Sequence, residues 1–193
     1  MAAVDEAIRN VVAVGGSFGS PEARLARCDN FCWPDPTEQP TLMGALVRAC
    51  YGMREACLGL GVPLVSGKDS MKNDFRGTRN GDPVTISIVP TLLMTAMARV
   101  PDLRVARSAD FKPDATVLYL LGGVGLRLRG SEVAREFGIR GGDPEIPCQS
   151  PNVSTQLPVP DWSLAQKIYG WLGGGLGKKG ISAVRSAHDV SEG

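Results

Sequence analysis

The feature that most constrains this chain is a long amphipathic helix that runs directly into a strand. From Thr41 to about Leu60, apolar residues recur at helical spacing: Leu42, Leu46, Ala49, Met53, Cys57 and Leu60 form one stripe, with Thr41 placed as an N-cap. A Met and Cys stripe at this spacing reads as core. Gly61 follows, then the apolar run Val62 to Val65, then a polar turn, Ser-Gly-Lys-Asp-Ser-Met-Lys-Asn, from Ser66 to Asn73. A loop at the end of a strand that carries two cations (Lys68, Lys72), a carboxylate (Asp69), a hydroxyl (Ser70) and a carboxamide (Asn73) can build a phosphate or metal site on a rigid scaffold. The same residue types also make an ordinary surface turn, and spacing alone does not separate the two.

The remaining pattern alternates in the same way. Val4, Ala7, Ile8, Val11 and Val14 predict a helix over 2–14, ended by Gly15-Gly16. A strand is predicted from Ala23 to Asn30, entering the turn Trp33-Pro-Asp-Pro-Thr. Asn80-Gly81 marks a hairpin turn between Arg76 and Asp82. Thr85 to Val100 reads as two strands or one bent strand, interrupted at Pro90. A polar linker runs from Pro101 to Asp114. Thr116 to Leu121 then reads as a strand covered on both faces, and this shift places a domain boundary near residue 110, between units 1–110 and 111–193. Beyond it, Ser131 caps a short helix to Phe137, and 141–160 is irregular. Asp161 caps a helix carrying Leu164, Ile168, Trp171 and Leu172, and Ala183 to Ala187 is a final strand.

Composition narrows the classes of function. A net charge of +1, with the basic residues scattered, gives no electrostatic case for nucleic acid or an anionic membrane. No apolar run reaches the ~18 residues of a membrane span, and Met1-Ala-Ala-Val-Asp5 lacks the regions of a signal peptide, so the cytoplasm is the default location. Five cysteines without a Cys-x-x-Cys spacing, and His188 as the sole histidine, argue against zinc and for reduced, mostly buried thiols. The glycine clusters at 122–125, 141–142 and 173–177 do not form a dinucleotide-binding fingerprint and read as turns and helix ends.

Several residues could carry chemistry. Glu6 and Asn10, spaced i,i+4, share a helix face and offer two hard oxygens that suit Mg²⁺; the alternative is a solvated face. Asp29 is either an acid beside a ligand or a turn-forming residue before a Pro-rich corner. His188, at a predicted strand end beside Asp189, is a weak candidate for a catalytic base and more readily a structural residue.

Four segments, in order along the chain, resemble one family: Ala3-Val-Asp-Glu-Ala-Ile-Arg-Asn10, Asp29-Asn-Phe-Cys-Trp-Pro-Asp-Pro36, Ser66-Gly-Lys-Asp-Ser-Met-Lys-Asn73 and His188-Asp-Val-Ser-Glu-Gly193. They are similar to the second half of the synthetase region of phosphoribosylformylglycinamidine synthase, in the superfamily of aminoimidazole ribonucleotide synthetase. The resemblance implies an α/β fold of that type: a mixed sheet packed with helices and an incomplete second subdomain. It implies an ATP-dependent ligase of purine biosynthesis. Such an enzyme converts formylglycinamide ribonucleotide, ATP and glutamine-derived ammonia to the amidine, ADP and phosphate.

The resemblance also implies roles. Glu6, Asn10 and Asp189 match Mg²⁺ ligands around the phosphates of bound ATP or ADP. Ser191 and Asp29 match residues near the nucleotide, and Gly67, Lys68, Asp69 and Ser70 match the loop that approaches phosphate or substrate. Some lineages have Gly-Asn-Val-Ser where this chain has Gly67-Lys-Asp-Ser70. A protonated Lys68 cannot ligate Mg²⁺ but can neutralise phosphate charge. With one histidine no Cys-His-Glu glutaminase can be assembled, so the ammonia source is expected in further domains or in a glutaminase subunit.

The chain begins within the family's repeat unit and stops inside a motif. The expectation is a fragment, inactive alone, that self-associates through open strand edges. The rival readings are a non-catalytic nucleotide-binding half of the same enzyme, and a selenophosphate synthetase or thiamine-monophosphate kinase.

Overall fold

The computed structural model describes residues 1–113, 117–122, 126–127, 132–136, 153–154, 159–175 and 184–191. Its centre is a three-stranded mixed sheet. Strand β1 (Leu25–Cys32) lies in the middle. Strand β2 (Leu64–Gly67) pairs parallel on one side and β5 (Thr91–Ala98) antiparallel on the other. The antiparallel register is unbroken from Leu25 opposite Ala98 to Cys32 opposite Thr91. Between them, β3 (Asp74–Arg79) and β4 (Asp82–Ser87) form a separate hairpin. Asn80 and Gly81 both adopt positive φ at its turn, as a two-residue hairpin requires.

Helices cover one face of the sheet. Helix α1 (Ala2–Ala13), helix α2 (Pro40–Leu60) and helix α4 (Trp162–Gly170) enclose a core of Val4, Ile8, Val12, Phe18, Ala56, Leu60, Val62, Ala165 and Tyr169. Leu25, Met94 and Ala96 of the sheet pack against it. Helix α1 forms because its apolar residues recur every three or four positions, and Gly15, at φ 112°, takes the chain out of it. The opposite sheet face leaves Leu93 and Met97 exposed. A short helix α3 (Glu132–Glu136) and a two-residue parallel pairing of β6 (Leu126–Arg127) with β7 (Val153–Ser154) complete the described α-helices and strands; a 3-10 turn (Leu103–Val105) and a π-helical turn (Trp171–Gly175) join them. Among the described residues, no helix is long and apolar enough to cross a membrane.

The α/β expectation holds, with local corrections. Strand β1 runs two residues later than predicted, because pairing on both sides carries Asp29 and Asn30, poor strand formers, through to Cys32. β2 likewise starts at Leu64, with Val62 buried ahead of it. Thr41 lies inside α2: Gln39 is the N-cap and Pro40 takes the first helical position, where its missing N–H costs nothing. The buried centre of α2 is Ala56 and Leu60, with the rest of the predicted stripe half-buried. Pro90 separates β4 from β5, which resolves Thr85 to Val100 into two strands.

Further along, Asp161 caps α4 as predicted, accepting from the Leu164 N–H at 3.0 Å. The helix buries Ala165 and Tyr169, not Leu164 and Trp171. Val117 to Leu121 forms no strand, and Leu118 is 81% exposed. A continuous apolar run becomes a buried strand only where partners cover both faces, and none does among the described residues. Near the end, only Ser186 makes a bridge, with Ser108; Ala183 lies outside the described residues, as do Ser131, Phe137, Cys148 and nearly all of 141–160. Cys28, Cys32 and Cys57 are half-buried free thiols, but Cys50 is exposed.

Candidate functional site

The structure sorts the nine predicted binding residues into two groups. The first is built on β1 and the loop after β2. Parallel pairing with β1 does not stop at Gly67. The Lys68 N–H donates to the Asp29 carbonyl at 3.0 Å and the Ser70 N–H to the Phe31 carbonyl at 2.7 Å. The Trp33 N–H donates to the Ser70 carbonyl at 2.9 Å, and the Asn73 N–H to the Trp33 carbonyl at 3.0 Å. Asp69 accepts from the Phe31 N–H at 3.2 Å, so its carboxylate braces the strand. The loop is therefore zipped to β1 along its length.

Gly67 leaves room for Asp29. A Cβ at position 67 would overlap Asp29 Oδ1, so a larger residue there would push this carboxylate out of its present place. The Asp29 carboxylate has no hydrogen bond or ion pair among the described residues. Lys68 Nζ donates to Ser70 Oγ at 2.7 Å, and both side chains are accessible. An ammonium, a hydroxyl and a carboxylate thus lie at one end of β1 and β2, where they can hold a phosphate or an amide.

A clamp that sequence reasoning missed secures this loop. Lys72 sits at φ 60°, a left-handed conformation that costs a non-glycine residue about 1–2 kcal/mol. Its Nζ reaches Asp35 Oδ2 at 2.7 Å, and Asp35 also accepts from the Thr37 N–H at 2.9 Å and hydroxyl at 2.6 Å. The Lys72 and Thr37 hydrogen bonds hold the Asp35 carboxyl well below the usual carboxylate range, at about 2. A carboxylate with a depressed pKa stabilises the fold above its ordinary value and loses that effect as pH falls through the lowered one. The clamp's contribution is thus expected to be complete above about pH 4, to decline below it, and to be lost as pH falls through about 2. An NMR titration of the Asp35 carboxyl with a midpoint near 4 would show that Lys72 does not hold it.

The second group is built on α1 and the segment 184–191. Glu6 and Asn10 share a face of α1. The Asn10 amide N–H donates to the Glu6 carbonyl at 3.2 Å, which leaves Asn10 Oδ1 free, and the Glu6 carboxylate makes no hydrogen bond or ion pair among the described residues. The Asp189 side chain is 5% exposed and accepts from the Ser191 hydroxyl. His188 is exposed and meets only the neighbouring Asp189 among the described residues, through its carbonyl and, at 3.6 Å, its carboxylate. Among the described residues, no second group orients the ring as a base.

Beneath this group lies a buried polar contact. The Tyr169 hydroxyl donates to Asp5 Oδ1 at 2.6 Å, and the Tyr169 ring meets Phe18 edge-on at 5.5 Å. Burial first, then the charge of Asp5, pushes the Tyr169 hydroxyl pKa up. Asp5 lies in the apolar row Val4, Ile8, Val12, and its i,i+4 pairing with Arg9, at 3.2 Å, was its one local signal.

Two carboxylates and a carboxamide fit a small, hard cation. No preformed set of three or more His, Cys, Asp or Glu side chains exists among the described residues. Mg²⁺ is commonly held by one or two carboxylates and completes its shell with water and phosphate oxygens. No hydrogen bond or ion pair among the nine predicted residues crosses from one group to the other.

No family model matches the chain. Along its whole length it is similar to part of proteins named phosphoribosylformylglycinamidine synthase subunit PurL. Identity is 35% to that of Thermomicrobium roseum and 33% to that of Gloeobacter violaceus, over 100% of this chain and 22% of each relative. It is 31% to that of Novosphingobium aromaticivorans, over 99% of this chain and 23% of the relative. The chain spans less than a quarter of the length of these relatives. The crystal structure of phosphoribosylformylglycinamidine synthase II from Thermotoga maritima is 28% identical, with 56% of this chain and 16% of that chain covered. Its TM-score of 0.37 is too low to argue from. The resemblance read from the four motifs is borne out by the sequence matches.

Proposed function

We propose that this chain is part of an ATP-dependent, amidine-forming ligase acting on formylglycinamide ribonucleotide, with Mg²⁺ and ATP or ADP bound through Glu6, Asn10 and Asp189. The observation that carries the reading is the hydrogen bond from Arg9 of α1, the helix that bears Glu6 and Asn10, to the carbonyl of Val190, the residue after Asp189, in a chain similar from end to end to PurL. Bound Mg²⁺ supplies charge neutralisation for the polyphosphate. Glu6 contributes an anionic oxygen and Asn10 a neutral one, both from a helix fixed by the core. Ser191 supplies a hydroxyl and Asp29 a carboxylate near the nucleotide. Lys68, Ser70 and the backbone of Gly67 and Asp69 position phosphate or substrate on the zipped loop.

The reaction transfers a phosphoryl group to the amide oxygen. Ammonia nitrogen then bonds to the same carbon, and the carbon–oxygen bond breaks to release phosphate. Chemistry of this kind depends on position and charge stabilisation more than on a protein nucleophile, which suits a site rich in fixed oxygens and one flexible ammonium. Ammonia comes from a further domain or a glutaminase partner.

Lys68 favours a second reading, a nucleotide-binding half that does not turn over, because it stands where some lineages of the family carry the Asn of Gly-Asn-Val-Ser, cannot ligate a metal while protonated, and is already engaged with Ser70. Substrate-dependent ATP hydrolysis separates the two. Lys68→Ala is expected to lower it about 10²-fold if this loop stabilises charge in the transition state. Unchanged hydrolysis in Lys68→Ala assigns the non-catalytic role.

A further inference from the structure

Among the described residues, one hydrogen bond ties 188–191 to α1. Arg9 faces in two directions. Its Nε lies 3.2 Å from Asp5 Oδ2, and its Nη1 donates to the Val190 carbonyl at 2.8 Å. Asp5, at 9% exposure, is held from the other side by the Tyr169 hydroxyl of α4. One end of the bridge is therefore anchored in the core. The other end falls on the peptide between Asp189 and Ser191, the residues that hold each other through the Ser191 hydroxyl.

The attachments of 184–191 show why this matters. Ser186 and Ala187 are fixed to the 108–110 turn, through Ser186 Oγ to the Asp110 carbonyl at 2.5 Å and the Ala187 N–H to the Ser108 carbonyl at 3.3 Å. From His188 to Ser191, the Arg9 contact is the one hydrogen bond to the rest of the described residues. Without it, 188–191 keeps no hydrogen bond to the rest of the described residues and is held by packing and by its attachment at Ala187. The Asp5 and Asp189 carboxylates both act on the Tyr169 hydroxyl, and Arg9 is the cation that offsets them there. A neutral side chain at position 9 loses both the tether and the compensating charge.

We propose that Arg9 is a positioning residue: by bridging Asp5 to the Val190 carbonyl it holds Asp189 against the helix that presents Glu6 and Asn10, without itself touching cation or nucleotide. This rests on the nucleotide-site reading above. Groups that orient metal ligands from behind alter metal affinity about 10- to 100-fold when removed. The Arg guanidinium suits the task because its planar fork donates to the Val190 carbonyl while its charge lies against the Asp5 carboxylate, which a Lys ammonium on a single stem does less well.

The test is titration calorimetry of Mg²⁺-ADP on the wild type, Arg9→Gln, Arg9→Lys and Glu6→Gln. Arg9→Gln is expected to raise the dissociation constant about tenfold at unchanged stoichiometry. Arg9→Lys, which keeps the charge and one of the two contacts, is expected to recover part of the loss. A role in folding alone lowers the stoichiometry and the melting temperature and leaves the dissociation constant of the folded fraction unchanged, which overturns the proposal. Should Arg9→Gln fail to fold, wild-type affinity in Arg9→Lys overturns it equally. If Glu6→Gln weakens binding while Arg9→Gln does not, the positioning role alone is wrong. If Glu6→Gln binds as the wild type does, the nucleotide-site reading has failed and this inference falls with it.

Discussion

Glu6→Gln is expected to raise the dissociation constant for Mg²⁺-ADP or Mg²⁺-ATP by roughly five- to 150-fold. The substitution keeps the length of the side chain and one oxygen acceptor, so it leaves the packing of α1 intact. It removes the negative charge. Mg²⁺ prefers anionic oxygen ligands, and a lost charge-assisted contact costs about 1–3 kcal/mol, which converts to that range of affinity. The Glu6 carboxylate is the right place to look because nothing else claims it. Asp5 is engaged by Arg9 and Tyr169, and Asn10 by the Glu6 backbone, while the Glu6 side chain has no partner among the described residues. Calorimetry at matched Mg²⁺ measures it. Equal affinity in the two proteins would make Glu6 an ordinary surface acid.

Ile8→Ala is expected to destabilise the fold by about 2–5 kcal/mol, the cost of removing a large aliphatic side chain from a core that cannot close over the gap. Ile8 is fully buried, at the middle of the Val4, Ile8, Val12 row that seats α1. Domains of ordinary stability have about 5–15 kcal/mol in total, so this one change removes a large part of it. Urea unfolding followed by circular dichroism gives the difference. A loss below about 1 kcal/mol would mean that the three helices repack around the cavity, and that α1 is not a rigid platform for Glu6 and Asn10.

Local signals carried much of this structure. Helix α1 was legible because Val4, Ile8 and Val11 repeat at its own period, and the β3–β4 hairpin because Asn80-Gly81 accepts the two positive φ angles of its turn. Glu6 with Asn10, and the Lys68 loop, are each contiguous or one turn apart, so residue type and spacing sufficed to single them out. The supports of the site were not legible. Tyr169 meets Asp5 across 164 positions, and Arg9 meets Val190 across 181. No pattern of period 2 or 3.6 carries such a pairing. The missed boundaries have the same origin: Phe31 and Cys32 belong to β1 because β5 pairs with them, and Leu118 stays exposed because no strand among the described residues flanks it.

The ladder between β1 and the residues after Gly67 has a thermodynamic consequence. A glycine-bearing loop that receives a phosphate usually loses backbone freedom when it does so, and that loss subtracts from affinity at about 1–2 kcal/mol for each residue newly fixed. Here Lys68, Ser70 and Asn73 have surrendered that freedom already, to carbonyls of the neighbouring strand and corner. Ligand capture at this loop therefore draws mainly on side-chain rotamers, those of Lys68 first. Its calorimetric signature should be the small heat-capacity change of a rigid receptor, not the large one of a segment that folds around its guest.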